Sequence, residues 1–569
     1  MSKVYGSSAR SMNARVTPQS QRTPGKDETL NPGGGYVFKI AKWEQLKRFL
    51  ILGSEGGTYY VGEKKLTRDN AEVAEACIRE DGKRVVDMCV EISDAGRAPK
   101  NDPAEFVLAM CAGLGTQEVR MYAMENLQKV CRIGTHLFHF VDYVLQFRGS
   151  GSGFKRALAK WYINRSPKSL VNQLVKYQSR DGWSHKDVLR VCHPVTDDHD
   201  KNSALRWAVG KPTGLSTGPE FGSGVFVSVD DPLAMIWAYE GVKKALTERE
   251  VIALVTKYSL PLEAIPTEKQ TRNVLAAALP NLGITAIVRN LGRFSKEGIL
   301  TAMSDETQFV IEKLLNAELI KEGRVHPLNI LFALDTYKSG HGFKGSLTWN
   351  VVSRIVDALD EMFYLAFGFV MPTNMRILLA LDVSGSMFSI QSKIAKTNLF
   401  AGEAAAAMAM VTARVEKNYE IVGFTAAGMY SRPSMHYGYQ SAISPLDISP
   451  RRRLDDICNY TRHLKFGGTD CALPMLYALG EKKKFDAFVI YTDNETWAGD
   501  VKPFQALQMY RNGMGINARL IVTAMTPDLD TLKNGISIAD PNDPGSLDVV
   551  GFDTATPNVI SEFVAGKMM

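Results

Sequence analysis

The chain has 569 residues and a mass of 62.8 kDa, too long for one hydrophobic core and suited to two or three domains. Its 45% hydrophobic and 22% charged content is that of a soluble globular protein. Seven cysteines, an odd number with no CxxC pair, argue against a disulfide framework or a zinc site, and the sequence has neither a secretory h-region nor an apolar run of membrane-spanning length.

The net charge of +6 is unevenly placed. Residues 1–371 carry 48 Lys and Arg against 41 Asp and Glu, and residues 372–569 carry 19 against 20. Lys155, Arg156, Lys160, Arg165, Lys168, Lys176, Arg180, Lys186 and Arg190 fall within forty residues, against only Asp181 and Asp187. Such a density suits a phosphate backbone, with a solvated helix face as the plainer reading.

Residues 1–35 read as a disordered tail ending in the breakers Asn31-Pro-Gly-Gly-Gly35. From 36 to 371 the apolar period is helical. Helices are expected near 67–80, 82–94, 103–113, 116–132, 135–147, 166–179, 231–246, 247–258, 304–321, 327–338 and 349–368. Ser166-Pro167 supplies a start signal, and Ser184-x-x-Asp187 and Thr247-x-x-Glu250 resemble capping boxes. Many short antiparallel helices without a strict repeat fit an α-solenoid of degenerate helix pairs, or else an irregular helical domain. The Gly- and Pro-rich segment 210–229 reads as a long loop.

At Arg376 the period changes. Strands are expected at 376–382, 420–424, 486–493, 518–524 and 548–552. Helices are expected at 392–416, between the later strands, and at 557–564. This alternation predicts an open, mainly parallel sheet in residues 372–569, with ligands beyond the strands' carboxyl ends. Asp382-Val-Ser384-Gly-Ser386 follows the first strand, Thr469 follows Gly467-Gly468, and Asp493 ends the strand Asp486–Thr492. Two carboxylates and three hydroxyls form an all-oxygen donor set for Mg²⁺ or Mn²⁺ and disfavour zinc. Turn-forming serines and helix-capping aspartates explain each position singly, but poorly all five together.

In that order and context, these residues resemble the metal-ion-dependent adhesion site of the von Willebrand factor A family. The resemblance implies that the five positions hold one divalent cation, Mg²⁺, leaving a position open for a partner's acidic group. Neither a P-loop nor an aspartyl-phosphatase Asp pair is present, so the cation is expected to bind rather than to catalyse.

Three upstream phrases, Asp181-Gly-Trp183-Ser-His185 through His193, Leu279 through Gly292, and His326 through Gly342, resemble the TROVE module of the Ro 60 kDa autoantigen family. With the A-type domain, the likeness covers about residues 36–569. It implies a ring of HEAT-like helical repeats braced by the A-type domain. It also implies Y RNA on the outer basic surface and single-stranded 3′ ends of misfolded noncoding RNAs in the central hole. The family's RNA-contacting Lys, Arg and His match Lys176, Arg180 and His193, with Lys168, Lys186 and Arg190 nearby. Lys176 and Arg180 are expected one helical turn apart on a shared phosphate track. The expected protein is a non-enzymatic monomer of cytoplasmic ribonucleoproteins, with the nucleus as a second compartment and no membrane association. The rival reading is a Mg²⁺-dependent scaffold gripping a partner's carboxylate, and a metal-dependent hydrolase has little support.

Overall fold

The computed structural model describes residues 16–54, 57–58, 71–211, 227–342, 345–389, 392, 399–426, 442–464, 467–525 and 535–567. Most of the segment expected as a loop at 210–229, and residues 1–15 of the expected tail, lie outside these.

Helices succeed one another from Lys42–Leu52 to Ser353–Leu365. Their start signals act as physical caps. Ser166 Oγ accepts from the Ser169 N–H, with Pro167 at the first helical position. The Ser184/Asp187 and Thr247/Glu250 pairs each bond reciprocally, satisfying N–H groups that a helix start leaves orphaned. The helices expected at 67–80 and 82–94 form one helix, Glu72–Asp94, broken at Asp81 (φ −150°, ψ 82°). Each helix packs against neighbours close in sequence, as stacked helix pairs do.

The two ends of this array meet. Arg324 donates from Nε to the Asp94 carbonyl at 2.7 Å and from its terminal nitrogen to the Asp94 carboxylate at 2.8 Å. Asn329 donates to the Pro99 carbonyl at 3.4 Å, and His326 Nε2 lies 3.2 Å from the Arg97 carbonyl. The helices therefore close into a ring with a polar seam.

In the second unit, β1 (Arg376–Asp382), β2 (Asn418–Phe424), β3 (Ile443–Pro445), β4 (Ala487–Thr492), β5 (Arg519–Ala524) and β6 (Ser546–Val550) form one sheet. The order is β6-β5-β4-β1-β2-β3. All neighbours are parallel except β3, which runs antiparallel on the edge. Side chains alternate between two cores. Leu379, Leu381, Val489, Tyr491 and Ile521 join an apolar core continuous with the helical ring. Leu378, Ala380, Phe488, Ile490 and Val522 join a second core on the opposite face. Burial on both faces explains the continuous apolar runs read as strands.

This unit clasps both sides of the ring seam. Arg97 pairs with the buried Asp553 at 2.6 Å and Arg48 pairs with Asp548. From the other end, Lys338 pairs with Asp455, Arg453 with Asp357, and Arg414 with Glu361 at 2.8 Å.

Residues 16–35 depart from the expected disordered tail, and 16–40 belong with the A-type unit rather than with the helices. Glu28–Leu30 and Tyr36–Lys39 pair antiparallel, and the latter also pairs with Ile536–Ser537. Gln19, Glu28 and Asn31 are buried. Gly35 permits close approach rather than disorder: a Cβ there would clash with the Thr496 carbonyl oxygen.

Candidate metal and nucleic-acid sites

The strand order reverses between β1 and β4, and their carboxyl ends border the crevice where such sheets bind ligands. Asp382 closes β1 and Asp493 follows β4. Asp382 Oδ1 accepts from the Ser384 N–H at 2.9 Å, and its Oδ2 accepts from the Thr492 hydroxyl at 2.6 Å. Ser384 and Ser386 hydroxyls lie 3.0 Å apart, and the Ser386 hydroxyl bonds the Asp493 carboxylate. Asp493 Oδ1 also accepts from the Glu495 N–H at 3.0 Å. The loop carrying Thr469 is tied in, because the Gly385 N–H donates to the Gly467 carbonyl and the Trp497 N–H to that of Thr469. Asp382, Ser384, Thr469 and Asp493 are all buried, and Ser386 is half-buried.

Burial, and then the neighbouring Asp493 charge, push the Asp382 carboxyl up to about 7, and burial raises Asp493 as well. No ion pair to either carboxylate occurs among the described residues. Two buried, mutually repelling carboxylates lined by hydroxyls are a donor set that a hard divalent cation fits.

The residues behind this site were not visible in the sequence. Gln19 donates to Asp470 at 2.6 Å and to the Val501 carbonyl at 3.0 Å, while the Asn31 amide caps the Thr496 carbonyl at 2.9 Å. The N-terminal segment thus lies against the loop that follows Asp493. The Asn31-Pro-Gly-Gly-Gly35 run carried the signal, but glycine runs read equally well as linkers.

The basic stretch occupies three helices, Ser152–Ile163, Pro167–Lys176 and His185–Cys192, the last touching both others, and a two-strand ribbon, Ser179–Arg180 with Trp183–Ser184. His185 ties them together. The Tyr162 hydroxyl bonds its Nδ1 at 2.9 Å and its Nε2 faces the Gln173 carbonyl at 3.2 Å. Lys155, Arg156, Lys160, Lys168, Arg180, Lys186, Arg190 and His193 are exposed, and Lys176 is half-exposed. Arg165 is not part of this face: it stacks on Trp161 and donates to the Arg132 carbonyl. Among the described residues the remaining cations have one carboxylate partner, Asp181, which lies 3.3 Å from Arg180.

Lys176 and Arg180 do not share a helix turn. The helix ends at Lys176, and Arg180 sits in the ribbon. The reason is Asp181-Gly182, both at positive φ (49° and 86°), which forms a tight hairpin turn. His193 caps the last helix in the left-handed conformation (φ 44°) and is exposed. Arg453, part of a charge run, is held by Asp357 and Asp455 at the domain interface.

Residues 376–564 match the Ro60 vWA domain, and residues 29–211 and 263–339 match the TROVE domain. A Deinococcus radiodurans relative called RNA-binding protein RO60 is 38% identical over 98% of this chain and 99% of its own length. The chain belongs to the Ro60 family. A Caenorhabditis elegans relative of the same name is 32% identical over 97% of this chain and 92% of its own. The crystal structure of the Deinococcus radiodurans Ro (RSR) protein superposes with a TM-score of 0.67 at 38% identity, covering 93% of this chain and all of that one. Both relatives are named for binding and not for a reaction.

In this Ro60-family chain one further cluster went unnoticed in the sequence. Ligand-type atoms of Asp102, Glu105 and His139 lie within 4.8 Å of one another, beside the basic ribbon. Asp102 and Glu105 share a helix and His139 comes from another, so no sequence spacing joins all three.

Proposed function

We propose that this chain is a non-catalytic RNA-binding protein of small cytoplasmic ribonucleoproteins. It holds Y RNA on the outer basic face and takes single-stranded 3′ ends of misfolded noncoding RNAs into the ring. The observation that carries the reading is the run of exposed cations on three adjoining helices and the ribbon, with Asp181 their only carboxylate partner among the described residues. Cations held on a rigid scaffold and free of carboxylates remain available to phosphates, and affinity falls with salt as counterions are released. The relatives named RNA-binding protein RO60, aligned over nearly the whole chain, support it.

The test is a Lys176→Glu/Arg180→Glu variant with unchanged thermal midpoint. It loses Y RNA binding at 150 mM salt, whereas retained binding refutes the proposal. Native protein should copurify with RNA, read as a raised 260/280 nm absorbance ratio.

A second activity has its own observation, the buried and unneutralised Asp382/Asp493 pair. With Ser384, Ser386 and Thr469 these residues would hold Mg²⁺, and the ion would present an open position to a partner's Asp or Glu. Mg²⁺-dependent, EDTA-reversible capture of an acidic peptide tests it. Capture that persists in Asp382→Ala refutes it.

A further inference from the structure

We propose that His139 is a positioning residue for RNA binding, acting through Asp181 to hold the ribbon and set Arg180 for a phosphate. The inference rests on the RNA reading above.

The geometry is a chain of charges running from the core to the surface. Glu105 is fully buried, and its Oε1 accepts from the Asn101 amide at 2.7 Å. Its Oε2 lies 2.8 Å from His139 Nδ1. His139 Nε2 lies 3.0 Å from Asp181 Oδ2. That same oxygen lies 3.3 Å from Arg180 Nε. Both ring nitrogens of His139 thus face carboxylates, so the imidazole donates on both sides only as the cation. Burial lowers its affinity for a proton, but the Glu105 bond and charge, with Asp102 and Asp181, outweigh that and raise it to about 9. The Glu105–His139 pairing accounts for the Asp102/Glu105/His139 cluster without an ion.

Two consequences bear on Arg180. The ribbon is only two residues per strand, too short to hold its own shape, and short hairpins need a partner surface. Among the described residues its hydrogen bonds to the helix Gly134–Phe147 are His139 to Asp181 and Trp183 Nε1 to Asp142 at 3.3 Å. The second consequence is electrostatic. Among the described residues, Asp181 is the one carboxylate paired with an exposed cation of the basic stretch. A protonated His139 shares that charge, leaving Arg180, 61% exposed at its side chain, open to a phosphate. Without His139, Asp181 would draw Arg180 into a closed pair. As a turn residue alone, Asp181 would need only its left-handed backbone, and no half-buried cation behind it.

The experiment is a double-mutant cycle on the full chain, reading affinity for labelled Y RNA at fixed salt. His139→Gln weakens binding by about tenfold, within the range of coupled neighbours. The loss disappears in an Arg180→Ala background, yet persists in full in a Lys168→Ala background. Glu105→Gln is isosteric, keeps the Asn101 contact and removes the charge that holds the proton. It gives the same Arg180-dependent loss, and it serves if His139→Gln does not fold. If Arg180→Ala itself binds normally, the RNA assignment of the ribbon fails. If Arg180→Ala weakens binding while His139→Gln and Glu105→Gln bind as wild type, or their losses add to that of Arg180→Ala, the positioning role alone is overturned.

Discussion

Lowering the pH from 7 to 5 should loosen the ring at two named points, His326 at the seam and His185 between the basic helices. His326 is 1% exposed. Its Nδ1 accepts from the Leu328 N–H at 3.2 Å and its Nε2–H donates to the Arg97 carbonyl. His185 is 3% exposed, with Nδ1 accepting from Tyr162 and Nε2–H donating to Gln173. Each ring is therefore neutral in one tautomer, and a second proton would cost the acceptor bond and bury a charge. Burial, the dominant cause, lowers both to about 4, against about 6.5 in an unfolded chain. The unfolded state thus binds more protons below pH 6.5, so stability falls as the pH drops through 6.5 toward 4. At pH 5 the loss is about 2 kcal/mol for each histidine. The acids pushed up to about 7, Asp382 and Asp470, act in the opposite sense, so the comparison must be between variants. His326→Gln and His185→Gln cost stability at pH 7, yet each removes about 2 kcal/mol of the pH 7-to-5 loss in denaturant titrations. An unchanged pH dependence in both variants would refute neutral, doubly bonded histidines at these positions.

Adding Mg²⁺ at about a hundred times its Kd should stabilise the chain by about 2.7 kcal/mol, seen as a raised thermal midpoint that EDTA reverses and Asp382→Ala abolishes. Arg97→Ala should cost about 3–5 kcal/mol, because it strands the buried Asp553 carboxylate at the seam. Gly35→Ala, forced against the Thr496 carbonyl, should lower stability by about 1–3 kcal/mol by calorimetry. Lys168→Ala should weaken binding to all RNA sequences alike and reduce the salt slope by about 1.

Much of this was legible because it is local. The capped helix starts at Ser166, Ser184 and Thr247, and the strand-end positions of Asp382 and Asp493, follow from short-range patterns and appear as expected. What failed was tertiary. The Lys176–Arg180 spacing looked helical, but Asp181-Gly182 supplies a hairpin turn that overrides it, and a dipeptide of that kind was a readable warning. The glycines at 33–35 looked like linker because what Gly33 and Gly35 pack against, the Trp497 side chain and the Thr496 backbone, lies far along the chain. His139, Glu105 and Asp181 carry no joint signature, since three separate elements bring them together.

The clasp between Gln19 and Asp470 joins residues 451 positions apart. At about 5–20 residues per second of synthesis, this segment waits roughly 20–90 s for its berth to be made. During that interval Tyr36–Lys39 is an unpaired strand edge, since Ile536–Ser537 is translated later still. Docking of this strand is thus deferred until Ile536–Ser537 has been made, and until then its open edge can pair with another chain.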